Sequence, residues 1–162
     1  MNVIRIDESA AAALAPLVAG FRAALRAYKG IASTPDLEAG REEILWFLNL
    51  GYPVFAVEDG GDFVGYAVCR IEDDVLWLEQ IFVRGDCRRR GVASLLFGEA
   101  EALARSMGED TIYNYVHPNN HGMIAFLRSK GYNVLNLIEI RKPYAGEKLT
   151  TTITVGDNTF DY

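Results

Sequence analysis

The chain has 162 residues, of which half are apolar and 23% are charged, and its formal net charge is −6. This is the composition of an ordinary globular protein of one-domain length, and its acidity argues against a general nucleic-acid role, which needs a basic surface. No run of eighteen apolar residues occurs, and the N-terminus lacks a basic start followed by an apolar stretch, so we expect neither a membrane span nor a signal peptide. Cys69 and Cys87 have the spacing of neither a metal site nor a disulfide framework, which favours a reduced, cytoplasmic protein.

Hydrophobic periodicity and turn signals predict that strands and helices share the first half of the chain. The Asp59-Gly60-Gly61-Asp62 sequence is typical of a hairpin turn between two strands. In chain order, the predicted elements are a strand at 3–6, helices at 8–28 and 36–50, and strands at 53–58, 63–71 and 75–83.

The second half of the chain is also predicted to contain both helices and strands. The predicted elements are a helix at 94–107, a strand at 111–116, a helix capped by Asn119 or Asn120 and closed by Gly131, and late strands at 133–141 and 149–155. The predicted order is βααβββαβαββ. Periodicity alone indicates an α/β or α+β chain with one sheet.

Residues 86–97, DCRRRGVASLLF, carry the most specific pattern. A strand, a basic glycine-containing turn and a helix N-terminus form an anion site, because the turn amides and the helix dipole both favour negative charge. Gly91 and Ala93 keep side chains away, so a diphosphate can reach the backbone. The pattern therefore predicts a site for the pyrophosphate of a nucleotide-like cofactor, with a solvated basic loop as the alternative.

Two motifs resemble one protein family. Arg88-x-x-Gly91-x-Ala93 is similar to the (Q/R)-x-x-G-x-(G/A) signature of the GNAT N-acetyltransferase superfamily, which binds acetyl-CoA, and the preceding LEQIFV resembles that family's fourth strand. The stretch from Asn120 to Tyr132 resembles the family's N-x-x-A-x-x-(F/L)-Y-x-x-x-G-(F/Y) helix. The resemblance implies the GNAT fold, a mixed and mostly antiparallel sheet splayed between strands 4 and 5 and flanked by helices. It implies a single domain over residues 1–162, with a short C-terminal strand and tail at 146–162.

The same resemblance implies the residues that bind acetyl-CoA. The backbone of strand 4 pairs with the pantetheine arm, the turn amides hold the pyrophosphate, and the asparagine at the next helix start lies near the pantetheine. Core packing is a second, compatible interpretation of the strand residues. The implied cofactor-binding residues are Ile81, Phe82, Val83, Arg88, Arg89, Arg90, Gly91, Val92, Ala93, Ser94 and Asn120.

Acetyl transfer to an amine needs a group that accepts the amine's proton. Glu79 is our candidate, because a charge inside an apolar strand is costly unless it is paired, and because its position resembles the glutamate of strand 4 in spermidine/spermine and related small-amine acetyltransferases. Strand alternation predicts Trp77, Glu79 and Ile81 on one face, and Leu78, Gln80 and Phe82 on the other. A solvent-facing glutamate is the alternative.

The general acid departs from the family pattern. Many GNAT enzymes place a tyrosine seven residues after the helix-cap asparagine, where it protonates the leaving thiolate, but that position here is Leu127. We predict Tyr115 as the substitute acid, with Tyr113 on the same face of strand 5 as the second candidate and packing as the alternative role for both. His117 is a further proton-transfer candidate.

Together these patterns predict an enzyme that moves the acetyl group of acetyl-CoA to a primary amine, on a small molecule, by direct attack without an acyl-enzyme. Acetylation of a protein or peptide is one alternative, and a catalytically weak acyl-CoA-binding sensor module is another. We expect no nucleic-acid partner, no membrane and no metal. The sequence leaves open the acceptor amine, the general acid, the speed of turnover and a homodimer.

Overall fold

The computed structural model describes residues 1–162 and contains seven strands and four α-helices. Short 3₁₀ turns occupy Glu8–Ala10 and Gly85–Cys87. The elements are β1 Asn2–Arg5, α1 Ala11–Tyr28, α2 Leu37–Asn49, β2 Val54–Asp59, β3 Asp62–Glu72, β4 Val75–Val83, α3 Val92–Ser106, β5 Tyr113–Asn114, α4 His121–Ser129, β6 Thr152–Val155 and β7 Asn158–Asp161.

The main sheet has five strands in the order β1-β2-β3-β4-β5. All neighbours are antiparallel except β4 and β5, which are parallel. The predicted mixed, mostly antiparallel sheet flanked by helices is therefore confirmed. The strand predicted at 111–116 is shorter than expected, because only Tyr113 and Asn114 find ladder partners on β4.

Local signals place the ends of the helices. The Asp36 carboxylate accepts a hydrogen bond from the Ala39 amide at 3.0 Å and so caps α2. The Asn120 side-chain oxygen accepts from the Met123 amide at 3.1 Å and caps α4. Gly131, with a φ of 88°, follows that helix in the left-handed conformation that glycine adopts without strain.

Helices α1 and α2 cover one face of the sheet. Leu14 and Val18 from α1 and Ile44 from α2 are fully buried and pack with Tyr66 and Val68 of β3. The apolar residues recur at helical spacing, so each helix presents one stripe to the sheet.

Helix α3 lies against the opposite face, which includes Gly65. Its buried side chains are Val92, Leu96, Phe97, Ala100 and Ala104. Burial of this stripe fixes the start of α3, and with it the preceding glycine turn, relative to β3 and β4.

The segment Glu8–Tyr28, which contains α1, is long and apolar enough to cross a membrane by length and composition, with a mean hydropathy of 1.3. One face of α1 belongs to the protein core, since Leu14, Leu17 and Val18 are buried among strand and α2 residues. A buried core helix has the same composition as a membrane helix, so the hydropathy alone is weak evidence for a span.

The chain divides into two compact units, Met1–Ala125 and Phe126–Tyr162. The first holds the five-stranded sheet, and the second ends in the β6–β7 hairpin around Gly156 and Asp157. The single domain over residues 1–162 stays a prediction. The strand predicted at 133–141 is wrong, because these residues form no ladder in the structure despite their apolar pattern. The predicted strand at 149–155 shortens to β6, and β7 is an additional strand.

Candidate active site

A cleft opens where β4 and β5 separate. The last paired residues are Leu78 of β4 and Asn114 of β5, and the rest of β4 has no partner on that side. The space between them opens to solvent and measures about 410 Å³ with the open solvent at its mouth included. Its lining consists of Phe21, Leu25, Leu78, Glu79, Gln80, Ile81, Asn114, Tyr115, Val116, His117, Asn120 and Met123. Of the predicted site residues, the structure brings Glu79, Ile81, Tyr115 and Asn120 to this one cleft.

The glycine turn after β4 has the backbone shape of an anion cradle. Gly91 precedes α3 with a φ of 87°, and Arg89 also adopts a positive φ of 59°. No side chain caps the N-terminus of α3, and a Cβ built on Gly91 would meet no atom within 4 Å. Uncapped amides at the start of a fifteen-residue helix, next to open space, are well placed to bind phosphate oxygens.

Two of the three turn arginines contact the protein itself. Arg88 Nε donates to the Val83 carbonyl at 3.2 Å, and its guanidinium lies over the Phe82 ring. Arg90 donates to Asp59 Oδ2 at 2.9 Å. The phosphate contacts predicted for these side chains stay predictions, since the structure shows both engaged elsewhere.

Glu79 and Gln80 are neighbours in β4 whose side chains lie on the same face of the sheet. Gln80 pairs with Val68 of β3 and Leu78 pairs with Cys69, so Glu79 is the extra residue of a β-bulge. The predicted alternation is therefore wrong for β4: a bulge adds one residue and resets the period of two. Periodicity could not reveal this, because it assumes an uninterrupted ladder.

Contacts with β3 confirm which face these residues share. Tyr66, two residues before Val68, donates to Gln80 Oε1 at 2.6 Å. Arg70, two residues after Val68, donates through Nε to Glu79 Oε2 at 3.0 Å. Residues two apart in a regular strand point to the same side, so Glu79 and Gln80 both face α1 and α2.

A hydrogen-bonded network of polar side chains, buried at Tyr66 and Gln80, runs from this face into the two helices, and sequence reasoning missed it. Gln80 Nε2 donates to Glu43 Oε1 at 2.7 Å, and Glu43 receives the Arg22 guanidinium at its other oxygen at 2.7 Å. Burial raises the pKa of Tyr66 well above its ordinary value, so its hydroxyl stays a neutral donor to Gln80. This polar network holds the Gln80 side chain in place, and thereby fixes the bulge that carries Glu79. Its one sequence signal is a glutamine within an apolar strand.

Aromatic rings line up across the same face. Trp77 stacks on Tyr115 with ring centroids 4.8 Å apart and lies 5.1 Å from Tyr113. The Arg70 guanidinium lies over the Trp77 indole at 5.0 Å. Tyr115 nevertheless remains 68% exposed and lines the cleft, whereas Tyr113 does not. The geometry thus favours Tyr115 over Tyr113 as the tyrosine nearer to a bound substrate.

His117 also lines the cleft. Its ring stacks on Tyr28, and its Nδ1 accepts from the Asn119 amide at 3.2 Å. Desolvation, and to a lesser extent the charge of Lys29, lower the pKa of His117. A neutral ring that accepts at Nδ1 carries its proton on Nε2, so His117 is a hydrogen-bond donor at neutral pH.

Cys87, which precedes the glycine turn, and Leu127, at the α4 position where many GNAT enzymes carry a tyrosine, are both buried. Cys87 is buried, with its sulfur 3.5 Å from an Arg84 nitrogen and 3.7 Å from an Arg90 nitrogen. Leu127 is buried on α4 and offers no hydroxyl.

The residues present fit acetyl-CoA. The cleft supplies an open strand edge, the glycine turn supplies uncapped amides, and the buried Asn114 Oδ1 in the cleft lining has no hydrogen-bond partner. An amide N–H of a pantetheine arm would satisfy that oxygen. The sequence profile described as the acetyltransferase (GNAT) family matches residues 21–132, more than half of the chain. The protein belongs to the GNAT acetyltransferase family. A search of curated protein sequences gave no match.

Solved structures share the GNAT fold at low identity. A ribosomal-protein-alanine N-acetyltransferase from Brucella melitensis biovar Abortus 2308 superposes with a TM-score of 0.68 at 14% identity, covering 89% of this chain and 100% of that one. The aminoglycoside antibiotic 6'-N-acetyltransferase AAC(6')-IG from Acinetobacter haemolyticus superposes with a TM-score of 0.63 at 21% identity, covering 89% of this chain and 99% of that one. The PaiA N-acetyltransferase from Thermoplasma acidophilum, in complex with coenzyme A, superposes with a TM-score of 0.67 at 15% identity, covering 80% of this chain and 89% of that one. Acetyl-CoA is the co-substrate of this GNAT protein.

Proposed function

We propose that this GNAT protein transfers the acetyl group of acetyl-CoA to a primary amine on a small molecule. The observation that carries the proposal is the position of Glu79, the only carboxylate that lines the cleft between β4 and β5. An amine attacks only when it is neutral, and a carboxylate at the cleft can both attract the ammonium form and accept its proton. Attack on the thioester is then direct, with no acyl-enzyme.

The surroundings of Glu79 support this role. Arg70 holds one carboxylate oxygen, Oε2, and is itself engaged by Glu72. Glu79 faces α1 and α2, and the hydrogen bonds from Tyr66 through Gln80 to Glu43 stiffen the bulge to which Glu79 belongs. A positioned carboxylate loses less freedom when the amine binds, which favours catalysis.

The cofactor contacts in this proposal follow the geometry of the turn. The amides from Arg89 to Ser94 hold the pyrophosphate, and the backbone of Ile81, Phe82 and Val83 faces the pantetheine arm, with Asn120 beside it. Tyr115 donates a proton to the leaving thiolate. His117 Nε2 is the other donor at the cleft.

We also propose a cytoplasmic location. Cys69 and Cys87 are both free and buried, as is usual in a reducing compartment. Burial raises the pKa of the Cys69 thiol to about 12, so it stays protonated and unreactive at neutral pH.

Thiol release from acetyl-CoA, measured with a panel of amines, tests the proposal. Small primary amines, polyamines, aminoglycosides and short peptides should be compared at equal concentration. Release that depends on a small amine supports the proposal. Release with peptides alone would favour the protein-acetylation alternative, for which the neighbours of shared fold include an example.

A sensor module is the second candidate, and Leu127 is the observation that favours it. The helix position that carries a hydroxyl in many GNAT enzymes is here a buried leucine. A sensor would bind coenzyme A in calorimetry and release no thiol with any amine. The two measurements together separate the candidates.

A further inference from the structure

The hairpin between β2 and β3 ends in a tight turn with two carboxylates. Asp59 and Asp62 are paired opposite each other, and Gly60 and Gly61 between them have φ values of 67° and 91°. Two consecutive positive φ values are typical of the type I′ turn, which gives the end of a hairpin a fixed shape. Residues directly opposite each other in antiparallel strands project to the same side of the sheet, so both carboxylates lie on one face.

Each of these acids faces an arginine of the loop that joins β4 to α3. Arg90 donates to Asp59 Oδ2 at 2.9 Å, across 31 positions of sequence. Arg84, at the start of the same loop, lies 3.9 Å from Asp62. Between them in the loop, the buried Cys87 sulfur contacts nitrogens of both arginines, at 3.5 and 3.7 Å. The hairpin therefore contacts the loop near both of its ends.

The glycine turn at the end of this loop needs such support. Its three consecutive arginines repel one another, and the amides at the start of α3 are uncapped. Arg89 has a φ of 59°, a conformation that a residue with a Cβ reaches only at a cost in free energy. Arg88 ties one side of the turn to β4 through the Val83 carbonyl. The bond from Arg90 to Asp59 ties the other side to the hairpin.

We propose that Asp59 is a positioning residue for coenzyme A, which holds the glycine turn through Arg90 in the shape that receives the pyrophosphate. The inference rests on the cofactor contacts proposed above. Arg90 then acts through Asp59 and is not itself a phosphate ligand. A turn that is already in its binding shape loses less freedom when the ligand binds, so the affinity is higher.

The exposure of this ion pair separates positioning from a role in folding. The Arg90 side chain is 49% exposed and the Asp59 side chain 30%. Ion pairs this exposed add little to folding stability, because water and salt screen them. Loss of the pair should therefore change the melting temperature only slightly while it changes the affinity for coenzyme A.

Positioning and simple charge effects predict opposite results for Asp59→Asn. Removal of a negative charge beside an anion site raises the affinity for the anion by charge alone. Loss of the positioning contact lowers it. Calorimetry with coenzyme A should show a fall of roughly tenfold in Asp59→Asn, since the turn must then be ordered by the ligand. Asp59→Glu keeps the carboxylate and should recover part of the affinity.

A double-mutant cycle shows whether the two residues act together. Asp59→Asn and Arg90→Gln change the net charge in opposite directions, yet both should lower the affinity by a similar factor. The double variant should lose no more than either single variant. Asp73→Asn is the matched control and should leave the affinity unchanged, because the whole of β3 separates it from Asp59. The eleven residues of that strand span about 35 Å, beyond the reach of an exposed charge at ordinary salt.

A ligand without phosphate shows whether the effect is confined to the turn. Pantetheine carries no pyrophosphate and lies along β4 in the proposed complex. Its binding, measured by ligand-observed NMR, should be the same in the parent and in Asp59→Asn. Equal losses for pantetheine and coenzyme A would indicate a general loosening of the fold and would contradict the positioning role.

Unchanged or higher coenzyme A affinity in Asp59→Asn overturns the proposal. Higher affinity would mean that Asp59 competes with the phosphate for Arg90. None of these measurements uses an amine. Failure of every amine to turn over would therefore contradict the proposed function without affecting the result for Asp59.

Discussion

A Cβ built on Gly65 would lie 2.7 Å from Cγ1 of Val92, closer than real side chains approach. It would also lie 3.0 Å from the Phe82 carbonyl oxygen. Gly65 is in β3 and Val92 is the first residue of α3, so the missing side chain lets the helix start settle against the sheet. This contact determines where the anion cradle sits relative to β4.

Gly65→Ala should destabilise the protein by about 1–3 kcal/mol and weaken coenzyme A binding, because overpacking pushes the start of α3 away. Thermal unfolding and calorimetry measure the two effects. Gly98→Ala is the matched control on α3, since a Cβ there meets no atom within 4 Å. Gly65→Ala/Val92→Ala should recover part of the binding. No loss in the single variant would show that α3 tolerates the displacement.

Gly91→Asp should abolish coenzyme A binding. A side chain and a negative charge would occupy the open space beside the uncapped α3 amides, and the φ of 87° strains any residue with a Cβ. Gly91→Ala carries the same backbone strain without the charge and should lose far less affinity. Calorimetry on folded protein measures both, and equal affinity for parent and Gly91→Asp would place the pyrophosphate elsewhere.

Glu79→Gln should lower amine turnover by roughly 10²–10⁴-fold and leave coenzyme A affinity nearly unchanged. The glutamine can still face Arg70 but cannot accept a proton. The acidic limb of the pH–rate profile should disappear with it. Glu72→Gln, which removes the other carboxylate that engages Arg70, should retain the limb. Normal turnover of Glu79→Gln at every pH would make the residue structural.

Stability should fall as the pH drops below about 6.5, in part through His117. Burial lowers the pKa of His117 in the folded state, so the unfolded chain binds the proton more readily. Its contribution is therefore fully present above the unfolded pKa and is lost as the pH falls through the lower, folded pKa. His117→Gln should flatten the melting temperature between pH 7.5 and 5, and His121→Gln controls for the loss of an imidazole. An unchanged slope in His117→Gln would show that another group drives the loss.

Much of this architecture follows from short-range patterns. The bounds of β4 and the caps of α2 and α4 are set by local sequence, so periodicity and capping residues predict them. The glycine turn before α3 is also local, since glycine reaches the φ of 87° at position 91 without strain. These features need no knowledge of distant contacts.

Features that depend on pairing between distant segments escape such prediction. The bulge at Glu79 exists only in the register of β4 with β3, and it reverses the expected face of Gln80. The hydrogen bond from Gln80 to Glu43 joins residues that are 37 positions apart in the sequence. The apolar composition of residues 133–141 predicts a strand, but these residues form no ladder in the structure. A strand also needs a pairing partner, which composition alone does not specify.

Substitution can also identify the group that donates a proton to the leaving thiolate. Tyr115 lines the cleft and stacks on Trp77, so Tyr115→Phe keeps the stacking while removing the hydroxyl. We expect it to lower kcat and leave coenzyme A affinity unchanged, whereas Tyr113→Phe, outside the cleft lining, should have little effect.

Leu127→Tyr should preserve or raise the rate if α4 adjusts to a larger side chain at a buried position, and thermal unfolding will show the cost of that adjustment. A coenzyme A thiolate is a fairly good leaving group, so we expect the parent enzyme to be slow rather than inactive. If Tyr115→Phe keeps the parental kcat while His117→Gln lowers it, His117 Nε2 is the donor. If both keep it, the proton comes from solvent or from the attacking amine.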